Sequence, residues 1–391
     1  MLKKIMVLGL MVASLSISVS AVDIAENSAQ LTPTILQTDV QQYTHQTEGQ
    51  WVKYSGALGF GYPYKVGTQA VKYNGVVYYT YSKCITTTST NYMIVFVADS
   101  LGNKTVVRRI YSTKCDPHEN ASLHIDEYGF ITVAQSARGK WRKGYVYKSA
   151  RPEDISSFEQ IDSGYYSYIK LHDNGMVYTD YNGSLRETWI KTNSGKQQLV
   201  VGGGYAITTE VNGQIHMLYN YHFAGNLDAR VNLYYMWSSS GLYWFNRHGE
   251  FLVLPVAENS QETAISFDYH KFNYLKDIAF VNGEIQALVV QSTSSSPIKG
   301  QRELLKFTMD GESSVITNMG HNYDGAKFWK DGIIAIKSDD YGYAGGDLLF
   351  YSMDGEYIST LKGEGINYPV RVENSDAIMF ADKESNLFIV E

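Results

Sequence analysis

The 391-residue chain carries 44% hydrophobic and 14% aromatic residues, enough for a sizeable core and too much for a disordered chain. Its formal net charge of −7 argues against nucleic acid as a partner, which selects a basic face. With 32 Tyr, 34 Gly, 7 Pro and 2 Cys, and with no glycine period, heptad or CxxC, the collagen, coiled-coil and zinc-ribbon classes are excluded as well.

Lys3 and Lys4 form a basic start, Ile5 to Ile17 a mostly apolar run, and Ser18-Val19-Ser20-Ala21 a small-residue exit. This is the three-part pattern of a secretory signal (1–21) cleaved after Ala21, so the mature chain is expected to be secreted or periplasmic. The apolar run is short for a bilayer span, and no later run of 18 apolar residues occurs. No membrane contact is expected after cleavage. Losing two lysines and no acid moves the net charge from −7 to −9. Residues 22–48 are polar, rich in Gln and Thr, and read as an N-terminal tail or a loosely attached strand.

From there short alternating runs recur almost to the end. Val71 to Tyr81 reads as strand, Asn-Gly turn, strand; the same layout returns around Gly129, Asn174-Gly175, Asn212-Gly213, Asn282-Gly283 and Asp331-Gly332. A last unit runs from about Asn367 to Val390, turning at Glu373-Asn374-Ser375 and short of one strand or two. Seven units of roughly 49 residues match the period of four-stranded propeller blades. The expected fold is therefore all-β: one seven-bladed β-propeller over 49–391, its ring closed by an N-terminal strand at Gln50 to Tyr54. A two-sheet sandwich is the alternative.

Several residues stand out along this path. Cys84 and Cys115 are the only cysteines; export permits a disulfide between them, and a pair of free thiols fits the sequence as well. Arg138, Lys140, Trp141, Arg142 and Lys143 put four cations and an indole within six residues, either a solvated hairpin tip or a surface where Trp141 stacks on a sugar. His216, His222 and His270 stand at blade openings without HxxxH metal spacing, so they are not assigned as metal ligands. No cofactor is expected, and a structural metal is left open.

The stretch Asp116-Pro117-His118-Glu119-Asn120-Ala121-Ser122-Leu123, continued by Val133 to Arg138 and by Tyr145 to Phe158, resembles the bacterial-neuraminidase-type repeat of propeller polysaccharide lyases, the ulvan lyases among them. Asn232 to Trp244 with Leu252-Val253-Leu254-Pro255 is similar to that family's Asp-box blade, shortened and lacking the Asp, and Gly213 to Met217 extends the likeness over about 66–256. The resemblance implies β-elimination on an anionic, uronate-containing polysaccharide, with or without sulfate. The chain is expected to be a monomer. It implies catalytic roles for His118 and for the third-blade tyrosine, Tyr166, with Tyr165 and Tyr168 in adjacent registers. Arg138 stands where the family has a second histidine, and Asn182 where it has an arginine, with Arg186 four residues on. Arg138, Trp141, Asn182, Arg186 and His216 are the expected substrate contacts. The family's zinc site is not traceable, because no cysteine follows Cys115. A glycan-binding propeller without catalysis is the runner-up. A sialidase-like hydrolase is a third reading, against which stands the single degenerate Asp box.

Overall fold

In the computed structural model the chain is an all-β protein, described over residues 40–43, 67–86, 91–112, 116–183, 185–222, 226, 228–257, 259–296, 299–338, 345–381 and 387–390. A short strand, Val40–Tyr43 (β1), precedes a series of antiparallel meanders. The first comprises Ala70–Tyr73, Val76–Thr86, Asn91–Asp99 and Lys104–Ser112 (β2 to β5). The second comprises Ala121–Ile125, Ile131–Gln135, Gly144–Ser149 and Phe158–Gly164 (β6 to β9), and the third Ser167–His172, Gly175–Asn182, Leu185–Thr192 and Gly195–Val201 (β10 to β13).

The fourth has three long strands, Gly203–Val211, Gln214–His222 and Arg230–Ser238 (β14 to β16). Its outer edge is covered by two-residue Trp244–Phe245 (β17) and by Ala264–Ser266 (β19), while Val256–Ala257 (β18) runs parallel to β13 of its neighbour. Phe272–Val281, Glu284–Ser292, Arg302–Thr308 and Ser313–Asn318 (β20 to β23) make the fifth. Ala326–Trp329, Gly332–Ser338, Gly346–Ser352 and the first half of Tyr357–Glu373 (β24 to β27) make the sixth. The second half of β27 pairs with Ile378–Ala381 (β28), which pairs with Leu387–Val390 (β29).

The anticipated hairpins form where Asn-Gly pairs stand. Asn74-Gly75, Asn212-Gly213 and Asn282-Gly283 all take positive φ at both residues, between 47° and 88°, the twist that two-residue hairpins require. Each meander then buries its face against the next. Val71, Val95 and Val97 of the first pack on Leu123, Ile131 and Val133 of the second, and Ala134 and Val146 of the second pack on Ile169, Met176 and Tyr178 of the third. The pattern continues through the fourth, fifth and sixth. Ala70, Val77 and Tyr79 of the first meander share a cluster with Val370, Met379 and Ile389 of the last strands. This stacking of blade-sized sheets face to face is propeller-like.

The expected closing strand at Gln50 to Tyr54 lies outside the described residues. Beside β29 stands Val40–Tyr43, in antiparallel register from Val40↔Val390 to Tyr43↔Leu387. The segment 22–48 thus contributes a strand to the last sheet. Among the described residues β29 would otherwise be an open edge with unpaired backbone groups, and β1 pairs with them. The signal segment and Cys115 also lie outside the described residues, so the pairing of Cys84 with Cys115 has no structural description. Among the described residues no helix is long and apolar enough to cross a membrane.

The β1–β29 ladder gives a direct test. A chain beginning at Leu36 should melt several degrees above one beginning at Thr44, which leaves the β29 edge bare. Equal melting temperatures would mean that β1 contributes nothing to the last sheet.

Candidate functional site

The inner strand of each meander is entered from one end, and the hairpin between its second and third strands returns to that end. Aromatic side chains come from the entries and cations from the hairpins. In the second meander the entry is the 3-10 turn Pro117–Glu119. Asp116 Oδ1 accepts the backbone N–H of His118 at 3.0 Å, an Asx turn that fixes the loop, and the same oxygen meets His118 Nδ1 in a very short hydrogen bond. The other oxygen of Asp116 pairs with Arg138 Nε at 2.5 Å. Burial alone would raise the Asp116 pKa, but the hydrogen bond and charge of His118, followed by the charge of Arg138, hold the carboxyl well below its usual range. An ionised Asp116 holds a proton on Nδ1 of His118, so Nε2 is the nitrogen through which the ring can exchange a proton.

Beneath this, Glu119 is fully buried and held by Arg142, with Nη2–Oε2 at 2.6 Å. The loop carrying His118 is therefore tied to the hairpin 136–143 by two ion pairs.

The third meander enters through Tyr168, whose φ of +53° is left-handed. The register of β10 on β11 shifts between Ser167 and Lys170, so the strand carries a bulge at this tyrosine. A bulky residue in that region costs on the order of 1–3 kcal/mol and marks a site where geometry is imposed. The bulge turns Tyr168 toward His118, with ring centroids 5.9 Å apart. On its other side Tyr168 meets Tyr205, near the start of β14, at 5.4 Å, and Tyr205 meets His222, at the end of β15, at 4.8 Å. Burial, and then the neighbouring Tyr205 phenol, raise the Tyr168 pKa well above 10, so its hydroxyl stays protonated at neutral pH.

Arg186, on β12, lies inside this row. It is 8% exposed, and its guanidinium reaches Tyr181 Oη at 3.3 Å, Tyr205 Oη at 3.3 Å and His222 Nδ1 at 2.6 Å. A guanidinium only donates, so His222 Nδ1 accepts and its proton sits on Nε2. No carboxylate pairs with Arg186 among the described residues. Arg230, at the start of β16, packs over the same ring: the two guanidinium carbons lie 4.6 Å and 4.5 Å from the centroid of Tyr205. Arg230 also faces Tyr274 and Tyr323, and Tyr323 in turn donates to Asp228 at 2.7 Å.

The sequence-predicted residues divide accordingly. His118, Arg138 and Arg186 meet in this cluster. Tyr166 does not: its ring packs edge-on against Tyr178 in the core between the second and third meanders, and its hydroxyl reaches Asp162. Tyr168 occupies the position by His118 instead. His216 lies at the far end of β15, bonded to Tyr235 Oη at 2.6 Å and stacked near Trp237, and burial lowers its pKa to about 4. Asn182 is exposed and donates to Glu187. Trp141 is 91% exposed on the hairpin beyond Arg138. Tyr205 and Arg230 are the additions; Asp116 and His222 stand out in the sequence without a role, and Tyr168 is the adjacent register of the third-blade tyrosine. The signal shared by Tyr168, Tyr205, His222 and Arg230 is position, an aromatic at a strand entry followed by a cation or histidine at the next hairpin. No group of three His, Cys, Asp or Glu able to hold a metal ion occurs among the described residues.

No family model and no curated protein matches the chain. Solved structures do. An ulvan lyase from a new polysaccharide lyase family, bound to -[GlcA(1-4)Rha3S]-, superposes with a TM-score of 0.61 at 13% identity, covering 89% of this chain and 95% of that one. The polysaccharide lyase Uly1 superposes with a TM-score of 0.57 at 11% identity, covering 91% and 94%. At these identities the likeness is one of fold.

The depressed Asp116 pKa has a consequence for stability. A carboxyl ionised more readily when folded stabilises the native state above its unfolded pKa of about 3.9, and that contribution is lost as pH falls toward the folded value. Asp116→Asn should therefore destabilise the protein most at pH 6–7, and the gap to wild type should narrow steadily below about pH 4 in urea titrations. A gap independent of pH would contradict the ionised Asp116.

Proposed function

We propose that the protein is an exported polysaccharide lyase that cleaves a uronate-containing chain by β-elimination, and that its meanders are the seven blades of one propeller with β1 as the closing strand. The observation that carries the reading is Arg186, a buried cation with only neutral partners among the described residues, beside two proton-transfer side chains. An uncompensated buried charge is costly, and a ligand carboxylate supplies what the protein withholds. The fold likeness to an ulvan lyase solved with a glucuronate–sulfated rhamnose ligand supports the same class of substrate.

The chemistry follows from the groups. The uronate carboxylate lies on Arg186, which also stabilises the aci-carboxylate that develops when the C5 proton leaves. His118 Nε2, with its opposite nitrogen held by Asp116, takes that proton. The electron pair forms the C4–C5 double bond and the C4–O4 bond breaks. Tyr168, a neutral phenol, donates its proton to O4. A phenol with a raised pKa suits this acid role better than that of a base. Arg138, paired with Asp116 and partly exposed, faces the anionic groups of the chain at the lip.

The test is the ultraviolet absorbance of the unsaturated uronate, followed with ulvan, glucuronan, pectin, alginate, glycosaminoglycans and rhamnose–glucuronate gums. His118→Ala and Tyr168→Phe should each lower the rate by about 10²–10⁴-fold, while Tyr166→Phe retains most activity. Arg186→Met should abolish activity yet leave the melting temperature unchanged or raised, because it removes a charge that the fold does not neutralise. Binding of one of these polymers without any absorbance would make the protein a glycan-binding propeller instead. Full activity in Tyr168→Phe would remove the acid from the mechanism.

A further inference from the structure

The hairpin 136–143 is fastened more firmly than a surface loop requires. Arg138 and Arg142 bridge across it, and each is ion-paired to the loop of the neighbouring entry, Arg138 to Asp116 and Arg142 to buried Glu119. Lys140 reaches Asp180 of the third meander at 2.6 Å, and the Gly139 N–H donates to Ser167 Oγ at 3.2 Å. Its tip nevertheless holds Trp141 in water, 91% exposed. Among the described residues the indole makes no hydrogen bond and no ring contact, and Lys143 beside it is exposed without an ion pair. A large aromatic presented on a tethered hairpin with its face bare is what a stacking surface needs, because little loop freedom is lost when a ligand arrives.

We propose that Trp141 is a remote sugar-binding platform, on which a pyranose ring of the polysaccharide stacks beyond the ring held at Arg186, with Lys143 facing its anionic substituents. This rests on the polysaccharide reading of the site and adds a subsite to it. Continuity selects the occupant: Arg138 at the base of the hairpin belongs to the cluster, so a chain leaving the cluster runs out along the same hairpin. The charge next to the indole is positive, which fits an anionic glycan rather than an apolar protein face. The aromatic supplies a face that any sugar ring with axial hydrogens can cover, so this subsite should tolerate sequence and reward length.

The experiment is affinity electrophoresis of the full chain in native gels cast with ulvan or with glucuronan, comparing wild type, Trp141→Ala and Trp141→Phe. Wild type should be retarded, Trp141→Ala should bind about tenfold more weakly, and Trp141→Phe, which keeps an aromatic face, should be close to wild type. All three should melt together, since an exposed indole contributes no packing. With an active enzyme, KM for the polymer should rise more in Trp141→Ala than KM for its tetrasaccharide. Equal retardation of Trp141→Ala and wild type, or no retardation of wild type in either gel, would overturn the platform. So would a dimer-to-monomer change in Trp141→Ala with retardation intact, which would make a second copy of this chain the occupant. If no polymer gives unsaturated product while retardation still depends on Trp141, the lyase reading fails and the platform stands.

Discussion

The arrangement of the site depends on one buried charge. Arg186 is removed from water without a carboxylate among the described residues to meet it, and its hydrogen bonds go to two phenols and a neutral imidazole. Such partners soften the desolvation of a guanidinium but do not cancel its charge. Tyr205 is central to the solution, because it accepts from Arg186 and carries Arg230 over the same ring. Tyrosine faces pack on both cations, and no acid among the described residues neutralises Arg186. An acid there would make a better-paired interior and a worse anion site.

The neighbouring residues serve the same end by different means. Asp116 pairs with His118 and Arg138 rather than with Arg186. Its ionisation sets the imidazole tautomer, so one carboxylate decides which nitrogen is basic. The bulge at Tyr168 imposes a left-handed backbone on a tyrosine to bring a phenol to His118. Glycine works in the opposite sense at Gly204, where a Cβ would lie 2.3 Å from Asn220 Oδ1 and 2.9 Å from the His222 ring. The inner strand can pass close to the histidine only because that position has no side chain. Strain and stripped backbone together keep the groups in fixed positions, which is where preorganised electrostatics gains its strength.

Much of this was legible in the sequence. Asn-Gly turns between alternating runs gave the hairpins, because two positive φ values in succession are affordable for few other pairs. The short last unit pointed to an N-terminal strand. Residues 22–48 could be read only as a tail or a loosely attached strand, because Gln41 and Gln42 give Val40–Tyr43 a polar look and pairing with β29 is a long-range property. The family resemblance drew attention to His118, Arg138 and Arg186, and it pointed to Tyr166 with Tyr168 in an adjacent register; nothing local in the sequence marks the bulge that brings Tyr168 to His118. Tyr205 and Arg230 had no local mark, since among 32 tyrosines only the packing distinguishes a cation's support from a core ring. His216 and His222 share one strand, and only the fold tells which end faces the site.

The central claim is that Arg186 is left for a ligand carboxylate to neutralise. Calorimetric titration of Tyr168→Phe protein with a uronate oligosaccharide, and with the same oligosaccharide after its carboxylates have been reduced to hydroxymethyl groups, tests this without requiring turnover. The account predicts that the native oligosaccharide binds at least about a hundredfold more tightly than the reduced one, and that Arg186→Met in the same background erases the difference. Equal affinity for the two, or a preference that survives the loss of Arg186, would contradict it.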